Sequence, residues 1–259
     1  MKINNKSIYI GTSGYKYDDW IGAYYPKNIS KQEMLDYYCN HFNFLELTYT
    51  YYKIPSYGEI MNIFSRSKNR CKFAVRLPHI FLKGKYNQED IKNLFIALSP
   101  ILESDKFFGF FADFSFRFNA CKANLEYLIH LGKIFTGYDL FVELINATWY
   151  KERFLTDITN AGIGIIAVDL PEVKGLAPFF MNSINYKSYI RLYGKSNLWL
   201  TPETKELNYC YDNKILINLS DNIAKLDGSK EVAVSFCNVV DAYAPKNALS
   251  FKEIVKGRD

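Results

Sequence analysis

The chain has 259 residues, 49% of them apolar and 23% charged, with a net charge of +5. That length allows one large domain or two small ones, and the apolar share is too high for a disordered chain. No run of about 18 uncharged apolar residues is present to cross a bilayer, so no membrane partner is expected. The amino terminus, Met1-Lys2-Ile3-Asn4-Asn5-Lys6, lacks the apolar stretch and cleavage site of a secretory signal, which predicts a cytoplasmic protein. Five cysteines are scattered without a CxxC or a zinc-type pairing. Such usage is expected of reduced, mostly structural thiols.

Strand-like runs alternate with amphipathic stretches along the whole chain. The β-branched and aromatic runs fall at residues 7–12, 43–48, 72–77, 107–113, 139–144, 164–169, 188–193 and 231–236. Ser30 and Glu33 make an S-x-x-E capping box opening a helix over 31–41, with Met34, Tyr37, Tyr38 and Phe42 as its apolar stripe. Ser56 and Glu59 repeat the spacing before a helix over 60–66. Pro100 is expected to limit the third helix. Helices over 122–135 and 150–160 follow their strands directly, and Asp241 precedes a last one over 245–255. The connection over 171–186 has the weakest helical pattern and is expected to be irregular. About eight strand–helix units without a linker predict a single α/β domain over 1–259. The expected architecture is a TIM-type (β/α)8 barrel rather than an open doubly wound sheet. Gly11-Thr12-Ser13-Gly14 is no GxGxxG fingerprint, and no GxxxxGK[ST] occurs, which agrees.

In such a barrel side chains fill the lumen, so a charge near the carboxyl end of a strand must face the mouth or be paired inside. Glu46, Arg76, Asp113, Glu143, Asp169 and Arg191 all interrupt or end apolar runs, and Asn238 follows the last one. That polar rim predicts a site. Glu46, Glu143 and Asp169 are the candidate catalytic groups, either as acid and base or, with Asn238, as hard oxygen ligands for Mg²⁺ or Mn²⁺. Arg76 and Arg191 are candidate anion-binding groups. The turn Gly194-Lys195-Ser196-Asn197 adds Lys195 and Ser196 after the seventh strand, where barrels often hold phosphate. Tyr15, Trp20, Tyr52 and Trp149 lie in loops and offer rings to stack on a ligand. An internal ion network that only fixes strand register would produce the same pattern of charges.

Several segments together carry a family resemblance. They are Gly11-Thr12-Ser13-Gly14-Tyr15 with Trp20 and Tyr24-Tyr25-Pro26, Phe44-Leu45-Glu46-Leu47 with Tyr51-Tyr52-Lys53-Ile54-Pro55, and Phe73-Ala74-Val75-Arg76-Leu77-Pro78. Val142-Glu143 with Thr148-Trp149, Val168-Asp169, Tyr189-Ile190-Arg191-Leu192-Tyr193-Gly194 and Phe236-Cys237-Asn238 continue it. In this order the chain resembles the DUF72 (YecE-like) family over nearly its whole length. The resemblance implies a TIM-type barrel without an established activity, with fold-level likeness to endonuclease IV-like and xylose-isomerase-like barrels. The chain departs from the family pattern at Lys83, Asn146 and Tyr193, where His is common, and at Ile145, where Arg is common. Asp113-Phe114-Ser115-Phe116 replaces the family's Gln-Leu-Pro-Pro, and Cys237 stands within its Phe-Asn-Asn. With three rim histidines absent, a multi-zinc nuclease site is not expected, no metal ligand is assigned and the cofactor is left unassigned. Three functions stay open: an enzyme acting on a small phosphorylated or carboxylated metabolite, a nucleic-acid-associated barrel, and a degenerate barrel that binds without chemistry. A small anionic ligand is the expected partner.

Overall fold

The strands are apolar on both faces, the pattern of a parallel sheet covered on each side. The computed structural model describes residues 1–196 and 208–258. A short β1 (Lys2–Ile3) pairs antiparallel with β2 (Lys6–Ser13). The parallel strands continue with β3 (Phe44–Leu47), β4 (Lys72–Arg76), β5 (Phe107–Phe114) and β6 (Leu140–Leu144). After these come β7 (Ile163–Ile165), β8 (Ala167–Asp169), β9 (Lys187–Leu192) and β10 (Glu231–Phe236). The last strand, β10, pairs back onto β2. At the other junction β7 pairs with β6 and β8 with β9, so the two halves of the expected sixth strand serve opposite neighbours. The result is a nearly closed α/β barrel of the TIM type.

The helices are α1 (Met34–His41), α2 (Tyr57–Ser67), a single-turn α3 (His79–Leu82), α4 (Gln88–Leu102), α5 (Lys122–Ile134), α6 (Glu152–Asn160), α7 (Asn213–Lys225) and α8 (Tyr243–Lys256). Both capping boxes form. At Ser56 the box starts α2 directly, whereas at Ser30 it closes only a turn and α1 begins at Met34. Pro100 does not stop α4. It sits in the last turn, and the Ile96 carbonyl that loses its amide partner accepts from Ser99 Oγ at 3.1 Å. No helix forms over 171–186, so the sixth connection is irregular as expected. Helix α7 was not among the expected elements, although Asp212 caps it and Leu216, Leu219 and Ile223 form its buried stripe. No helix among the described residues is long and apolar enough to cross a membrane.

Inward-facing residues recur at every second position along the strands. Tyr189 stands in the middle of the lumen, ringed by Phe44, Phe108, Phe111 and Phe141 at centroid distances of 5.5 to 5.9 Å, all edge-on. Burying each such ring contributes about 1.5–3 kcal/mol, and the edge-to-face geometry adds to it. This aromatic plug closes the barrel's middle. Two residues further along the same strands come Glu46, Asp113, Glu143 and Arg191, so a charged layer rests directly on the plug. Gly11 lets α1 pack close to it. A Cβ there would lie 1.9 Å from the Phe44 carbonyl oxygen and 2.7 Å from Tyr38 Oη. That oxygen instead donates to the Phe44 carbonyl and accepts from the Thr12 amide.

A buried guanidinium hub and the cleft beside it

Arg191 on β9 is 3% exposed, Glu46 on β3 is fully buried, and Glu143 on β6 is 4% exposed. Three charges this dry must satisfy one another. Arg191 grips Glu46 with two parallel bonds, Nε to Oε1 and Nη2 to Oε2, each 3.0 Å. Its Nη1 donates to Glu143 Oε2 at 2.5 Å and to Tyr193 Oη at 2.6 Å, and Nη2 reaches Ser13 Oγ at 3.3 Å. A guanidinium has five N–H donors, and all five are spent inside the protein. Tyr189 Oη donates to Glu46 Oε1 at 2.8 Å, which ties the aromatic plug to the hub. Tyr193 Oη donates to Glu143 at 2.8 Å. Asp113 pairs in register with Glu143 on the neighbouring strand. Its carboxylate is bound by Arg76 through Nε at 2.7 Å and through Nη2, and the Arg76 guanidinium lies 3.9 Å from the Tyr51 ring centroid.

The layer therefore holds two guanidinium groups against three carboxyls, one negative charge too many. The two glutamates answer this differently. Burial alone would raise the Glu46 carboxyl, but Arg191 and the hydrogen bond from Tyr189 hold it below the usual carboxylate value. Burial pushes the Glu143 carboxyl up, Arg191 offsets only part of that, and nearby Asp113 adds to the rise. A pair with divergent proton affinities is the arrangement that acid–base chemistry uses. Tyr193 is held well above its ordinary value, by burial first, and stays a phenol that can donate to Glu143.

Above the hub a cleft of about 700 Å³ opens between the loops that follow β2, β3 and β4 and the start of α2. Tyr15, Lys16, Tyr49, Tyr52, Asn62 and Arg76 line it, and Glu46 and Ser13 connect it to the hub. No carboxylate pairs with Lys16 among the described residues. Arg76 Nη1 has no partner among the described residues. Tyr49 Oη is buried in the wall and has no hydrogen-bond partner among the described residues.

The other expected site residues lie elsewhere. Asp169 is level with Leu192 on β9, whereas Val168 is level with Arg191. Its side chain therefore leaves the opposite face of the strand, and Asp169 does not join Glu46 and Glu143. It pairs with Lys195 Nζ at 2.6 Å and accepts from Tyr211 Oη at 2.7 Å, beside a separate pocket of about 230 Å³ against α7. With Lys195 also donating to the Leu170 carbonyl, the turn after β9 is not an open anion loop. Gly194 has φ +103°, and a Cβ on it would lie 2.4 Å from Tyr209 Cβ, so its concavity is already filled. Ser196 is half-buried beside it, and Asn197 lies outside the described residues. Trp20 and Trp149 are fully buried, each indole nitrogen donating to a backbone carbonyl, of Val239 and of Phe118. Neither ring presents a face at the rim. Tyr52 is 75% exposed beside the cleft. Asn238 is buried and donates to Tyr209 O and Asn247 Oδ1, while its own Oδ1 has no partner among the described residues. Among the described residues no group of three or more His, Cys, Asp or Glu side chains is gathered to hold a metal.

The sequence-based list of candidates omitted Ser13, Lys16, Tyr49, Tyr189 and Tyr193 from the site, and it counted Asp113 among the rim charges without giving it a role. For Asp113 and Tyr193 a signal existed: each stands two residues beyond an inward side chain, Phe111 or Arg191. Of the three positions where the family pattern carries His, Tyr193 alone reaches the hub; Asn146 caps the turn before Trp149, and Lys83 ends α3.

A parallel barrel with a charged layer across its lumen and a ligand-sized cleft above that layer defines an α/β-barrel protein built around its mouth. The family model described as "Protein of unknown function DUF72" matches residues 9–259, and the chain belongs to that family. It is similar to a DUF72 family protein of Thermotoga maritima, 29% identical with a TM-score of 0.88, over 96% of this chain and 99% of that one. A DUF72 family protein of Enterococcus faecalis is 23% identical with a TM-score of 0.84, over 96% and 95% of the two chains. The UPF0759 protein YunF of Bacillus subtilis is 23% identical over 79% of this chain and 78% of its own length.

Proposed function

We propose that the cleft above β2, β3 and β4 binds a small anionic metabolite, with Lys16 and Arg76 as the anion's partners and the Glu143–Arg191–Glu46 hub as a proton-handling floor. One observation carries this reading: at the mouth Arg191 has no donor left, while Lys16 and Arg76 Nη1 line the cleft with donors unspent. The anion clamp is thus Arg76 rather than Arg191, whose work is to keep Glu46 ionised. Tyr49 Oη supplies an unpaired hydroxyl for a ligand oxygen. Glu143, whose carboxyl burial pushes up, is the group of the hub best suited to take and give a proton, and Tyr193 links it to the guanidinium.

Calorimetric titration with inorganic phosphate and with malonate tests the binding. Lys16→Ala and Arg76→Lys should each weaken binding about tenfold, the weight of one charge-assisted hydrogen bond. Unchanged affinity in both variants overturns the assignment. Glu143→Gln should leave phosphate affinity as it is, so that any turnover lost in that variant is lost from the chemistry and not from binding.

A further inference from the structure

Two of the five cysteines meet inside the barrel wall. Cys39, in the last turn of α1, and Cys71, just before β4, are buried with their sulfurs 3.2 Å apart. Cys71 Sγ lies 3.2 Å from both Cys39 Sγ and the Phe42 carbonyl oxygen, the two acceptors within reach of its one proton. A disulfide needs about 2.05 Å between sulfurs, so the pair lies only about 1 Å from bonding distance. We propose that Cys39 and Cys71 form a disulfide when the chain meets a low-molecular-weight disulfide oxidant such as oxidised glutathione. One cysteine thiolate attacks the oxidant and releases one glutathione thiolate. The second cysteine then displaces the other glutathione from the mixed disulfide. In sum the two protein thiols give up two protons and two electrons, and one oxidised glutathione becomes two reduced ones.

The cross-link spans a segment with a purpose. Between Cys39 and Cys71 lie β3 with Glu46, the Leu47–Tyr52 wall of the cleft and all of α2. Closing this loop ties that wall of the cleft to the roots of α1 and β4. Contact with Cys39, and then burial, hold the Cys71 thiol far above its ordinary value, so exchange in the folded protein is slow. The pair behaves as a durable latch, closed during folding or on transient opening of the seam between α1 and β4, and not as a quick sensor. It stands independently of what the cleft binds.

The experiment uses the Cys121→Ser/Cys210→Ser chain, because those two thiols are exposed and would take up glutathione on their own. The chain is refolded in a glutathione redox buffer, and a native sample is held in the same buffer just below its unfolding temperature. Maleimide labelling in denaturant should then find one reactive thiol, that of Cys237, where the reduced protein shows three. Peptide mapping should join the fragments holding Cys39 and Cys71. The melting temperature should rise by about 5–10 °C over the reduced form, and Cys71→Ala should abolish that rise. Three free thiols by both routes, a linkage through Cys237, or glutathione carried separately on Cys39 and Cys71 would each overturn the proposal.

Discussion

Val168 and Asp169 are adjacent, yet they look into different worlds. Val168 shares the lumen with Arg191, and Asp169 leaves the barrel with Leu192. One pleat separates two polar clusters of unlike character. Inside, the side chains of Arg191, Glu46 and Glu143 are at most 5% exposed, and every guanidinium donor is matched. Outside, Lys195 keeps 34% of its side chain in solvent against Asp169. Water can complete the outer cluster, whereas the inner one must complete itself. This is why the inner cluster recruits hydroxyls from Ser13, Tyr189 and Tyr193, and why its excess negative charge appears as a raised Glu143.

The largest effect should come from breaking the inner hub at its centre. Arg191→Met strands two buried carboxylates and should cost about 3–5 kcal/mol in urea unfolding at neutral pH. The pH dependence has a definite sign. In the wild-type protein Glu46 lies below its unfolded value, so its contribution is present above that value and is lost as pH falls through the folded one. Without Arg191 burial is unopposed and both glutamates shift upward. Their contribution is then complete below the unfolded value and is lost as pH rises through the folded one. The gap between variant and wild type should therefore narrow steadily on acidification toward pH 4. A gap independent of pH would mean that Arg191 acts by packing against Phe111 and not by its charge.

How far the sequence revealed all this depended on markers of strand parity. Where a ring sits two residues before a charge, as in Phe44 and Glu46, Phe141 and Glu143, or Tyr189 and Arg191, the inward face can be read directly, and the hub was legible. In Ile166-Ala167-Val168-Asp169 no such marker exists, because a parallel strand is apolar on both faces. Asp169 was therefore grouped with groups it never meets. The eight-unit barrel was legible from alternation alone, as was the irregular sixth connection. Helix α7 was not, because no helix was expected between the seventh and eighth strands, although Asp212 caps it and Leu216, Leu219 and Ile223 supply its stripe. Trp20 and Trp149 were expected in loops; each instead ends a single 3-10 turn within its connection, and both rings turn inward to bury their area.

Tyr193→Phe is a gentler cut through the same hub. It removes one donor to Glu143 and one acceptor from Arg191 and leaves the ring over the guanidinium, 5.1 Å from its centre. The expected cost is about 1–3 kcal/mol. The Tyr193 hydrogen bond works to lower Glu143, so its loss should move that carboxyl further up. A carboxyl raised in the folded state loses stability as pH climbs from the unfolded to the folded value. The deficit of this variant should accordingly be greater at pH 7 than at pH 4. The side-chain carboxyl ¹³C shift of Glu143 should report the higher midpoint directly. A midpoint that falls would show that Tyr193 opposes the carboxylate and does not support it.

The smallest effect is expected at Asp169, and it tests whether the two clusters are separate at all. Asp169→Asn keeps an acceptor for Tyr211 and loses the ion pair to Lys195. That pair is a third exposed on the lysine side, so the cost should be about 1 kcal/mol, with solvent screening much of the attraction. Added salt should shrink even that, because partly exposed pairs are screened within about 8–10 Å at ordinary ionic strength. The decisive reading is at a distance. With the strand between them, Asp169→Asn should leave the Glu143 carboxyl resonance and its titration where they are in the wild-type protein. A shift in that titration would mean that charge on the outer face is felt in the lumen, and the hub, the cleft and the Lys195 turn would then have to be treated as one titrating system.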